Sequence, residues 1–82
     1  MTKAPISNAA RIVGERVREF RSQAGLNQEQ LAEAVGVHWT FVSQVERGLR
    51  NVTLTNLLRF AEGLGVNPAE LVDGLRPPGR DD

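Results

Sequence analysis

Residues 26–48, "LNQEQLAEAVGVHWTFVSQVERG", hold two short helical patterns separated by a three-residue turn, and their reading decides the fold. Asn27 followed by Gln30 has the spacing of a capping box, in which side chain and backbone satisfy each other's free groups, so a helix starts there. Leu31, Ala32 and Val35 then fall on one face, and Gly36 supplies the left-handed stop. The second pattern, residues 39–47, closes on Gly48. On a helical period Val42 and Val45 point inward, while Trp39, Thr40, Ser43, Gln44 and Arg47 share the opposite face. Both helices are too short to persist alone in water, so each must be held by packing on other elements.

Those other elements lie on either side. Upstream, residues 8–24 carry Val13, Val17, Phe20 and Ala24 at helical spacing, with arginines between them and Gly25 as the stop. Downstream, Thr53 caps "LTNLLRFAEGLG", whose Leu54, Leu57, Leu58, Ala61 and Leu64 form a fourth stripe, weakened a little by Gly63. A fifth helix opens with Asn67 as cap, Pro68 in the first turn and Glu70 in the pairing position, and Leu71, Val72 and Leu75 give it an apolar edge. No strand pattern competes with these helices. The expectation is an all-α chain of five helices, with a flexible arm over 1–7, the domain over 8–75 and a disordered tail, "RPPGRDD", over 76–82.

Composition narrows the function. An 82-residue chain, 40% hydrophobic and 24% charged, fits one small globular domain, near the size at which a single core suffices. It has no Cys, no Tyr and one His, so thiolate, metal and nucleophilic sites lack their residues and no enzyme, cofactor or small-molecule ligand is expected. No apolar run approaches a signal peptide or a membrane span, which points to a cytoplasmic protein. The formal net charge is zero, which weakly opposes nucleic acid, but the charges come in blocks. Residues 1–26 and 47–60 are basic, and the C-terminal part is acidic, so a folded chain can still present a basic face.

Two short helices joined by "VGV", with polar side chains projecting from the second, are the sequence form of a helix-turn-helix. The stretch from about Val13 to Val72 resembles the lambda-repressor-like helix-turn-helix family, of the Cro/CI or XRE type. "LNQEQLA", the Gly36 turn, "VERG", "RN.TL..L" and "LGVNPAEL" all agree in register. The resemblance implies that helices 2 and 3 form the motif and that helix 3 enters the major groove of double-stranded DNA. Carried over position by position, the base-facing residues are Trp39, Thr40, Ser43 and Gln44, with Gln44 suited to the N6 and N7 edge of adenine. Phosphate contacts fall to Asn27, Gln28, His38, Arg47 and Arg50, which fix register without reading sequence. Arg21 and Glu46 match the family's structural ion pair between helices 1 and 3. Arg11, Arg16 and Arg18 are read as a solvated face, Phe41 as a packing residue, and Trp39 stands evenly between packing and reading.

Such regulators bind pseudo-palindromes as homodimers, and the dimer surface is expected on helices 4 and 5 through Val66, Leu71 and Leu75. The pattern across helix 3 is also similar to restriction-modification controller proteins, which activate and then repress from tandem sites. Controllers commonly carry Arg where Trp39 stands, so the guanine contact that Arg makes through O6 and N7 is lost here. Because the chain stops soon after helix 5, no ligand-sensing domain is expected. The competing reading is a protein-interaction module, such as the antitoxin of a toxin pair, with Trp39 as its anchor. A salt titration separates the two, since only phosphate binding weakens steeply with salt.

Overall fold

Side-chain caps set where the helices begin. In the computed structural model, which describes residues 3–79, five helices run in the order α1 (Asn8–Gln23), α2 (Gln28–Val35), α3 (Trp39–Glu46), α4 (Leu54–Leu64) and α5 (Ala69–Val72). Ser7 Oγ accepts the Ala10 N–H at 3.0 Å and Thr53 Oγ1 accepts that of Asn56 at 3.1 Å. At α2 the capping box closes both ways: Asn27 Oδ1 accepts the Gln30 N–H at 2.7 Å, and Asn27 N–H donates to Gln30 Oε1 at 2.8 Å. Each such cap contributes about 1 kcal/mol by satisfying donors that the helix cannot. Gly36, at φ +85°, then turns the chain through the left-handed region that other residues rarely adopt. That turn sets α3 across α2.

All five helices feed one core. Val17 from α1, Leu31, Ala32 and Val35 from α2, Val42 and Val45 from α3, Phe60, Ala61 and Leu64 from α4, and Leu71 from α5 are buried together. The approach of α1 to α3 is close enough to demand a glycine. A Cβ on Gly14 would overlap Val45 O and lie 2.8 Å from Glu46 O, both backbone atoms. Among the described residues no helix is long and apolar enough to cross a membrane.

The structure departs from the sequence reading in several places. The inward stripe of α4 is Leu57, Phe60, Ala61 and Leu64, leaving Leu54 72% and Leu58 48% exposed, because Phe60 takes the core position. Ala24 is an exposed cap at the end of α1 rather than part of its stripe. The fifth helix ends at Val72, where Asp73 turns extended at ψ 129°, so Leu75 is half-buried beyond it. At its start Glu70 Oε2 accepts the Asn67 N–H at 3.1 Å as expected, but the cap position falls on Pro68 rather than Asn67, whose Oδ1 accepts the Ala69 N–H at 2.9 Å. Leu71, expected on a dimer surface, is fully buried because this short turn lays it into the core; Val66 is half-buried against the same core. Arg16 is not merely solvated, since its Nη1 donates to Leu71 O at 3.3 Å and ties α5 to α1. Residues 1–2 of the expected arm and 80–82 of the expected tail lie outside the described residues.

Candidate nucleic-acid interface

The inward face of α3 is fixed before its outward face does anything. Val42 and Val45 have almost no exposed surface, and Glu46 is buried beside them. A buried carboxylate needs compensation, and it has three donors. Arg21 Nε donates to Glu46 Oε2 at 2.6 Å, Arg21 Nη2 to Oε1 at 3.0 Å, and Gln28 Nε2 to Oε1 at 3.1 Å. Arg21 Nη1 also donates to Leu26 O at 2.9 Å, so one guanidinium joins α1, the α1–α2 turn and α3. The hydrogen bond to Glu46 holds Arg21 still more firmly charged than usual, with burial opposing it. Gln28, expected as a phosphate contact, is thereby drawn into this clamp by its amide; one amide hydrogen remains for an outside acceptor.

With that anchor set, the outward residues come together. Trp39, Thr40, Ser43, Gln44 and Arg47 line one shallow concavity, and Trp39 also borders a second one with Arg21, Asn27, Gln28 and Glu29. Trp39 therefore forms the wall between the starts of the two motif helices. It is 47% exposed, and its ring leans on His38 with centroids 6.0 Å apart. His38 caps α3 through Nδ1, which accepts the Thr40 N–H at 3.2 Å and lies 2.8 Å from Thr40 Oγ1. Thr40 is exposed, with its methyl not engaged in the cap.

The far end of the face is cationic. Arg47 lies exposed at the end of α3, its Nε 3.4 Å from Ser43 O. Arg50, also exposed, donates from Nε to Gln44 Oε1 at 2.7 Å, and its guanidinium carbon sits 5.5 Å from the centre of the Phe41 ring. Phe41 in turn packs on Phe60 with ring centroids 6.2 Å apart. Nothing in the sequence spacing flags the Gln44–Arg50 or Gln28–Glu46 bonds, because both span turns whose geometry only the fold supplies. No buried side-chain nitrogen or oxygen among the described residues lacks a hydrogen-bond partner.

The arrangement can do two things chemically. Its helix starts and arginines can take phosphate oxygens, and the outward residues of α3 offer donors and acceptors of the kind that base edges pair with. Comparison with known proteins supports that use. Residues 12–74 match the model of a helix-turn-helix domain. Control protein C.BamHI of Bacillus amyloliquefaciens is 40% identical over 68 residues, spanning 82% of this chain and 84% of that one. Among solved structures, the restriction-modification controller protein C.AhdI from Aeromonas hydrophila has 45% sequence identity and a TM-score of 0.74, over 76% of this chain and 94% of that one. The P22 c2 repressor in complex with a synthetic operator has 33% identity and a TM-score of 0.72, over 78% of this chain and 97% of that one.

Proposed function

The chain belongs to the lambda-repressor-like helix-turn-helix family of DNA-binding transcriptional regulators, and on that premise we propose that it is a controller-type regulator that binds a pseudo-palindromic operator as a homodimer. The observation that carries this reading is the shared concavity formed by Trp39, Thr40, Ser43, Gln44 and Arg47 on a helix whose other face is locked into the core. In the proposed complex α3 lies in the major groove. Thr40, Ser43 and Gln44 face base edges, and Trp39 spans a thymine methyl and the adjoining sugar. Asn27, Gln28, His38, Arg47 and Arg50 take phosphates.

In that pairing the two recognition helices lie roughly 34 Å apart, one turn of DNA. On α4 and α5 the apolar side chains open to such pairing are Leu54, Leu58 and Val72, while Val66 and Leu75 are half-buried and Leu71 is buried. A cytoplasmic location goes with this role. The relatives are controllers and other transcription regulators, and they lend no support to an antitoxin.

Selection of bound duplexes from a random pool, followed by a salt titration, tests the proposal. Two inverted half-sites about one helical turn apart are expected, with log K falling linearly as log salt rises. Recovery of no preferred sequence, or affinity indifferent to salt, would sink it.

A further inference from the structure

Gln44 is a donor and an acceptor at once, and its use as a reader depends on which end of its amide faces where. A carboxamide can turn over, exchanging oxygen for NH2, and a lone glutamine on a helix surface has no reason to prefer either state. Here it has one. A guanidinium carries only donors, so Arg50 Nε, 2.7 Å away, can bond only to the oxygen. Arg50 is held in turn over Phe41, and Phe41 rests on Phe60, which is fully buried. Four side chains thus connect the core to the outward amide.

We propose that Arg50 determines specificity as a positioning residue, by fixing the Gln44 amide in the flip state with its oxygen toward Arg50. The proposal rests on the reading of Gln44 as a base contact. An amide free to turn can satisfy donor and acceptor in either order along the groove edge, as presented by the two orientations of an A·T pair. A fixed amide satisfies one order only. The Gln44 oxygen keeps a second lone pair, so the bond to Arg50 orients it without removing it from the groove. Arg50 therefore acts on sequence preference while touching no base, in addition to any phosphate it holds.

The test is affinity for four duplexes that differ only at the base pair under Gln44, measured for the wild type, Arg50→Ala, Arg50→Lys, Gln44→Ala and the Arg50→Ala/Gln44→Ala double variant. Wild type should prefer one pair by roughly 10-fold or more, a bidentate contact's worth of discrimination. Arg50→Ala should weaken all four duplexes and compress the ratio between the two orientations of the A·T pair to about 3-fold or less, because the amide now turns freely and serves either. Arg50→Lys should regain much of the affinity through its charge but little of the preference, since an ammonium, donor-only like the guanidinium, lacks the flat face that holds Arg50 over Phe41. In the Gln44→Ala background, removing Arg50 should change no ratio. Equal losses on all four duplexes for Arg50→Ala, with the ratios intact, would reduce Arg50 to a phosphate contact and overturn the proposal. If Gln44→Ala alone leaves every ratio unchanged, Gln44 is not a reader, and the failure lies in that earlier step.

Discussion

An indole at the first position of α3 has too much open surface to be a core residue and too little to be ignored. Trp39 leans on His38 and walls two concavities, and in the proposed complex its free face meets the groove and the sugar-phosphate edge. Trp39→Ala should therefore change unfolding free energy by only about 1 kcal/mol or less, as for other surface substitutions, while weakening operator binding at least several-fold. Denaturant melts and binding isotherms on the same variant check this. A large loss of stability with unchanged affinity would make Trp39 a packing residue. Leu71 predicts the opposite pattern. Its truncation to Ala opens a cavity in the core and should cost about 2–5 kcal/mol, with no separate effect on self-association. At this scale the sequence was a good guide to residue type and a poor one to partners. The outward set on α3 follows from period alone, but the bond that turns the Gln44 amide needs the loop after Gly48 to bring Arg50 back over Phe41.

At the scale of elements, two contacts hold α3 at its angle, and each predicts a measurable loss. Gly14→Ala sets two effects against each other. Ala favours helix by about 1 kcal/mol, but the added methyl meets backbone carbonyls of α3 that cannot rotate away. Overpacking of that kind costs about 1–3 kcal/mol, so the net change is destabilising and should also displace the recognition helix. A more stable Gly14→Ala with unchanged DNA affinity would show that α1 and α3 can part without consequence. Arg21→Ala strands Glu46 with only Gln28 for company and should cost about 3–5 kcal/mol in chemical denaturation. Replacing both Arg21 and Glu46 by Met should cost less than Arg21→Ala, because no buried charge is then left unpaired. The helices themselves were legible because their starts carry strong local signals in Asn27, Thr53 and Asn67. The inward face of α4 was not. Leu54, Leu58 and Phe60 all suit burial chemically, and only the fold decides for Phe60, which is buried in the shared core with Phe41 packed on it. Gly14 was equally silent, because close approach is a property of two helices together and is written in neither alone.

For the whole molecule, the zero net charge is a sum over faces rather than a property of any one. Arg47 and Arg50 stand at the proposed groove, while Glu62, Glu70 and Asp73 lie in α4, α5 and the turn beyond. The same division leaves Leu54 and Leu58, one turn apart on α4, as apolar surface in the C-terminal half. Leu58→Glu should lower the sedimentation-derived association constant and, with it, the affinity for a two-half-site operator, while binding to a single half-site stays nearly constant. Unchanged sedimentation would move the pairing surface elsewhere. The N-terminal stretch also bears on how the protein is handled. Ile6 N–H donates to Gly48 O at 2.9 Å, so the segment before α1 is fastened to the exit of α3. An affinity tag spliced at Ser7, or a preparation trimmed to Asn8, would cut that fastening at the helix meant for the groove. Purified material handled in that way would read as a weak binder for a reason unrelated to its operator.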